Sequence, residues 1–299
     1  MSAEVPPATR PPVDLRLIEQ EIAIKDVERA VAFIHVAGAS ASGKSTIARY
    51  VGSQLPETLV LPIDNYLAEG LWDSSRIFNH DSPNPSKPYI GGISPEIWDL
   101  PLLYTHLSQL AIGKTVQIPR FDETIKDRVG YESSTPNKHI VLEGGHAFSE
   151  PFVDFADHKI YVRAPLHDRL MRKIVRTHIQ YGREDVDEVL GRYLTRDEYA
   201  CRAYDNEFCQ IADQVIENPA NPRKDYARMR DTMTCTDWPV QAALTPTDST
   251  GYLHPGEQLT LTAHEATHGI RYTIDGRMLV DLPISTETRN LLIMHYERV

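Results

Sequence analysis

The sequence predicts an α/β domain built on a mostly parallel sheet flanked by helices, followed by a small all-β appendage. Two observations carry that expectation. Short apolar segments rich in β-branched residues (VAFIHVAG, 31–38; TLVLPI, 58–63; HIVLE, 139–143; KIYVRA, 159–164) alternate with segments of helical period. After Asn218 the texture changes: NPANPRK is a Pro/Asn-rich break, and Leu259, Leu261, Ala263 and then Ile270, Tyr272, Ile274 alternate at period two. Period two is the mark of half-buried antiparallel strands. The composition, 299 residues with 41% hydrophobic and 24% charged, suffices for a sizeable core.

The elements follow in order. Residues 1–29 read as a loose, proline-bearing leader and a short amphipathic helix over 14–29. GKSTIARYVGSQL (43–55) reads as a helix after the first strand. Residues 69–95 hold little periodicity and several prolines and glycines, so they read as a long loop. A helix is expected from Pro95 to Leu110 behind a Ser94 cap. TVQIP (115–119) reads as a strand, 166–181 as a basic helix, 184–210 as a further helix and DQVIEN (213–218) as a last strand. The expected domain therefore spans 30–220, with a linker over 221–237 and the β appendage over 238–299. Asp275-Gly276 signals a hairpin turn.

The strongest motif is Gly38-Ala39-Ser40-Ala41-Ser42-Gly43-Lys44-Ser45-Thr46, which fits G-x-x-x-x-G-K-[ST] with a strand before it and a helix after it. Glycines let backbone N–H groups turn inward onto phosphate oxygens, and the helix adds its positive end. Lys44 would reach the β/γ-phosphates, and the Ser45 hydroxyl would ligate Mg²⁺. The motif predicts nucleotide binding and leaves open what becomes of the γ-phosphate.

Two carboxylates stand at strand ends, where the ligand crevice of a parallel sheet lies. Asp64 follows TLVLPI and could accept a hydroxyl proton or serve the metal; the plainer alternative is a turn aspartate before Asn65. Glu143 ends HIVLE and suits the metal side of such a site. Arg169, Arg172, Lys173 and Arg176 recur at helical spacing, and Arg183 follows. Such a stripe can close over a triphosphate as a lid, or be a solvated face paired with Glu184, Asp185, Asp187 and Glu188.

Together the segments GASASGKST (38–46), LPIDNYL (61–67), GKTVQIPRFDETIKDR (113–128), IVLEGGHAF (140–148), KIYVRAPLHDRLMRKIVRTHIQYGR (159–183) and IADQVIENP (211–219) resemble the uridine kinase / phosphoribulokinase family of P-loop kinases, and most of all its uridine–cytidine kinases. The resemblance implies ATP and Mg²⁺ as cofactors and transfer of the γ-phosphoryl group to a hydroxyl of a small molecule. It implies Asp64 as general base near the metal, Glu143 beside the metal, and Lys44 and Arg176 acting on the transferring group. It places Arg176 and Arg183 on the nucleotide, and Tyr66, Phe121, Lys126, Arg128 and Arg169 on the acceptor side. Phe121 and Lys126 stand where the family carries a base-reading Tyr and His. Gly92-Ile93-Ser94-Pro95 stands where it carries a Phe-Asp-His-Pro stretch, so a ribose-holding acid is absent there, with Asp81 or Asp99 as substitutes. A nucleoside 5′-hydroxyl is the first expectation. A non-nucleoside hydroxyl compound is the alternative, and a silent nucleotide-binding module the third.

Other readings are narrower. A net charge of −11 disfavours a general nucleic-acid or anionic-membrane binder. Three cysteines without CxxC spacing suit a reducing, cytoplasmic setting, and no apolar run is long enough to cross a membrane. Self-association is left open. The β appendage weakly resembles the terminal modules of chitobiase-type glycosidases through GYLHPGEQLTLT and GIRYTIDG. His264-Glu265-Ala266-Thr267-His268 fits H-E-x-x-H, but between period-two segments and without a third ligand it reads as a polar hairpin turn.

Overall fold

The computed structural model describes residues 16, 18, 31–67, 98–122, 125, 127–136, 138–181, 189–191 and 193–219, together with three strands beyond residue 258. By its contacts the chain divides into two compact units. The first holds the described residues up to Arg163 and those from Arg196 to Asn218. The second holds Ala164–Thr195 and the described residues from Pro219 onward.

The first unit is built on five strands: β1 (Ala32–Gly38), β2 (Thr58–Pro62), β5 (His139–Glu143), β6 (His158–Arg163) and β7 (Gln214–Glu217), in the order β2-β5-β1-β6-β7. All four pairings are parallel. Both faces of this sheet are covered, and the alternation along each strand shows how. Phe33, Ala37, Ile140, Leu142 and Tyr161 join one cluster with Leu103, Leu107 and Leu110 of α2 (Leu100–Ala111) and Phe208 of α4 (Tyr199–Ile211). Their neighbours Ile34, Val36, Val141, Ile160 and Val162 join a second cluster with Ile47, Ala48 and Val51 of α1 (Lys44–Gln54). A strand buried on both faces loses the polar half of its alternation, which is why these segments read as continuous apolar runs.

Helix α2 begins five residues later than its sequence suggests. Trp98 bridges Leu67, Asp99 caps the helix by accepting from Leu102 N at 3.2 Å, and a proline sits in the first turn. The expected Ser94 cap lies outside the described residues. TVQIP is not a strand of the main sheet. It belongs to β3 (Val116–Asp122), which pairs with β4 (Asp127–Ser134) in a separate antiparallel hairpin. The sequence reading missed β4 because DRVGYESS has few apolar residues, and its strand is half exposed.

In the second unit, α3 (Leu166–Tyr181) forms as expected. The single helix expected over 184–210 is instead interrupted by a π-helical turn at Tyr193–Glu198 before α4 starts. The strands β8 (Leu259–Ala263), β9 (Gly269–Ile274) and β10 (Arg277–Pro283) form an antiparallel sheet in the order β10-β9-β8. Arg277 pairs with Ile274, so β9 and β10 are joined through Asp275-Gly276. Those two residues, and His264 to His268, lie outside the described residues.

Candidate active site

The site forms where three parallel strands end together. Val36 of β1 and Pro62 of β2 both stand level with Glu143 of β5, and the chain leaves β1 into the phosphate loop and β2 into a 3-10 turn, Ile63–Tyr66. Because β1 is central and its two neighbours belong to opposite crossovers, this end of the sheet is the switch point at which open α/β sheets bind ligands.

The loop is tightly seated. A Cβ at Gly38 would meet the Val162 carbonyl oxygen at 2.5 Å, so only glycine lets the loop leave β1 flush with β6. Gly43 caps α1 in the left-handed region (φ 98), which glycine adopts without steric cost. Ala41 also has positive φ (62), a strain of about 1–2 kcal/mol that the surrounding bonds must hold. Ser42 N donates to Ala39 O at 3.1 Å, and Thr46 N and Ile47 N both donate to Gly43 O, starting the helix.

The three polar groups expected around the metal and phosphates come together. Ser45 Oγ donates to Glu143 Oε1 at 3.0 Å, and Lys44 Nζ lies 3.7 Å from the same oxygen. Glu143 is 5% exposed. Burial pushes its carboxyl above the ordinary value; Lys44 pulls it back, and the Asp64 carboxylate pushes it up again. Asp64 is thus electrostatically coupled to Glu143 from the 3-10 turn, where its carbonyl accepts from Leu67 N.

The acceptor side looks different from its expectation. Tyr66 bonds within the fold. It is fully buried, and its hydroxyl bonds His106 Nδ1 at 2.9 Å. Desolvation raises its pKa far above the ordinary tyrosine value, so it stays a neutral core residue. Arg128 Nη2 donates to Tyr66 O at 3.2 Å and lies 3.5 Å from Asp99 Oδ2, which fastens β4 to the Asp64 turn. Phe121 is half-buried at the edge of the core. Lys126 lies outside the described residues.

The basic stripe is not uniform. Arg169 is buried, with Nε on Ala164 O at 2.9 Å and Nη1 on the Tyr193 hydroxyl at 2.8 Å, whereas Arg176 is exposed. The two share one face by spacing but differ in surroundings, because Arg169 lies against Ala164 and Tyr193. Arg169 therefore ties α3 to Tyr193. Arg183 lies outside the described residues.

Two more residues stand near these strand ends; the sequence singles out His146, which follows Glu143-Gly144-Gly145, as either a substrate contact or an incidental histidine. His146 is buried, accepts or donates at Ser149 Oγ, and packs edge-on against Trp98 and Tyr204. Asn218, just past β7, donates from Nδ2 to Ser42 O at 2.6 Å. Asn218 lies within IADQVIENP, but its partner is 176 positions away.

The donor set fits ATP and Mg²⁺. Hard oxygens from Ser45, Asp64 and Glu143 suit Mg²⁺, which takes few protein ligands and fills its shell from water and phosphate. Among the described residues there is no cage of three or more His, Cys, Asp or Glu side chains, as a softer metal would need. No described helix is long and apolar enough to cross a membrane.

A family model described as Phosphoribulokinase / Uridine kinase family matches residues 33–221. The chain belongs to this family. As a member of the phosphoribulokinase / uridine kinase family it is a P-loop kinase. It is 30% identical over 197 residues to the uridine kinase of Halobacterium salinarum, covering 63% of this chain and 80% of that one. It is 32% identical over 181 residues to the uridine kinase of Aeromonas hydrophila, covering 57% and 78%. A proposed fructose transport system kinase from Silicibacter sp. TM1040 shares the fold, with a TM-score of 0.50, 19% identity, and 68% of this chain and 99% of that chain covered. The family match stops at residue 221, short of β8–β10.

Proposed function

We propose that this kinase transfers the γ-phosphoryl group of ATP to a hydroxyl of a small molecule, first of all the 5′-hydroxyl of a pyrimidine nucleoside. The observation that carries the reading is the convergence of Lys44 and Ser45 on Glu143 with Asp64 coupled beside them. Loop amides and Lys44 bind and orient the triphosphate. Ser45, Asp64 and Glu143 would hold Mg²⁺, which when bound would offset charge on the phosphates. Asp64 accepts the acceptor's hydroxyl proton as the new O–Pγ bond forms and the Pγ–O bond to ADP breaks. Arg176 supports the transferring group when bound. Placement of Arg183, Lys126 and Phe121 toward the ligands belongs to the same reading.

The nucleoside preference draws on the uridine kinases to which the chain is similar. A second reading, a hydroxyl acceptor that is not a nucleoside, is favoured by the burial of Tyr66 and by Phe121, which has no hydroxyl to read a base. ADP release from the purified protein with MgATP against nucleosides, sugar phosphates, polyols and hydroxy acids separates them. Turnover with uridine or cytidine is expected. Turnover only with another class moves the assignment to the second reading.

A further inference from the structure

Asn218 has no part in the mechanism so far, yet it touches the phosphate loop from behind. It sits one residue past β7, at the edge of the parallel sheet, and is 4% exposed. Its own N–H donates to Arg163 O at 2.7 Å, continuing the β6–β7 pairing and fixing its backbone. Its side-chain amide donates to Ser42 O at 2.6 Å. A Cβ at Gly43 would collide with Asn218 Nδ2, so the amide fills the space that a side chain at Gly43 would need.

The consequence lies in the peptide between Ser42 and Gly43. That peptide is planar and trans, so its C=O and N–H point in opposite directions. A donor that holds the Ser42 carbonyl on one side of the loop also holds the Gly43 N–H on the other. Gly43 is the cap of α1, and amides at a helix start in a glycine loop are those that grip phosphate oxygens. Left-handed glycine has a shallow preference between backbone states, so this peptide can flip unless something holds it.

We propose that Asn218 is a positioning residue of the phosphate loop, which sets the Ser42–Gly43 peptide with its N–H toward the nucleotide phosphates. The inference rests on the reading of the chain as an ATP-using kinase. The Asn218 amide acts through Gly43 and needs no contact with nucleotide. It also accounts for glycine at position 43 twice over: for its φ, and for the room that the amide takes.

The test uses the full chain and two substitutions. Asn218→Asp keeps the shape and removes the donor, and Asn218→Ala removes the donor without adding charge. Affinity for MgATP is measured by titration calorimetry, with the melting temperature without ligand and KM for both substrates. Each variant is expected to bind MgATP about tenfold more weakly, the loss of one buried hydrogen bond, and to raise KM for ATP while KM for the acceptor stays within about twofold. A purely structural role would lower the melting temperature and leave the affinity of the folded protein unchanged, which overturns the inference. So does an effect seen only with Asn218→Asp, which would be charge repulsion. A parent protein that binds no MgATP at all overturns the kinase reading along with it.

Discussion

The donor and acceptor sides of this site are built from different materials. On the donor side, the phosphate loop, Glu143 and Asn218 are held by the parallel sheet itself, with backbone turns, a buried carboxylate and short polar contacts. On the proposed acceptor side, the residues come from a two-stranded hairpin and a 3-10 turn, and several of them bond within the fold. Tyr66 is locked to His106, and Arg128 to Asp99 and the Tyr66 carbonyl. The difference shows where each property can vary. Phosphoryl transfer needs one fixed geometry for charge stabilisation, and bonds to the sheet and to the start of α1 hold these parts in place. In the proposed reading, recognition of the acceptor would fall to peripheral elements, which can change without disturbing the chemistry.

The largest expected effect breaks the donor side at its chemical step. Asp64→Asn should lower kcat by about 10²–10⁴-fold, a larger loss than its effect on MgATP affinity, read by steady-state kinetics beside calorimetry. An unaltered kcat would remove Asp64 as the base. Glu143→Gln comes next: the Mg²⁺ concentration needed for half-maximal rate should rise by about 10–100-fold, since an oxygen that orients the metal loses its charge. A magnesium titration at saturating ATP checks it.

On the acceptor side the expected effects shrink. Arg128→Ala should cost about 1–3 kcal/mol of stability, because Asp99 and the Tyr66 carbonyl lose a charged partner; denaturant unfolding measures it. Phe121→Tyr should change acceptor KM by about tenfold or less while leaving KM for ATP alone, because a new hydroxyl alters only what it can bond. Equal changes in both would mean that the hairpin and the loop are one mechanical unit.

The smallest effect is a pH dependence. Burial pulls the His106 imidazole below its ordinary value of 6.5, with Asp99 opposing. The unfolded chain then binds the proton more readily than the native one, so this contribution is fully present above about pH 6.5 and is lost as pH falls through the native value. His106→Gln should flatten that part of a melting temperature–pH curve.

The same contrast explains what the sequence could show. The donor side is legible because its chemistry is local: a glycine-rich loop between a strand and a helix, and acids at the ends of apolar runs. Asn218 escaped notice because its contact is made only when β7 docks beside β6. On the acceptor side less is local: the bonds of Tyr66 and Arg169 to His106 and Tyr193 are made by neighbours distant in sequence, which spacing does not show. Strand β4 was hidden because an exposed hairpin need not carry an apolar pattern, and helix α2 starts late because Trp98 is held by Leu67.

The most direct test of the central claim is transfer of label from γ-labelled ATP to uridine or cytidine, by the parent protein and by Asp64→Asn. The expected result is label in the nucleoside 5′-monophosphate with the parent and almost none with the variant. Bound ATP whose label reaches no nucleoside, or equal transfer by both proteins, would contradict it.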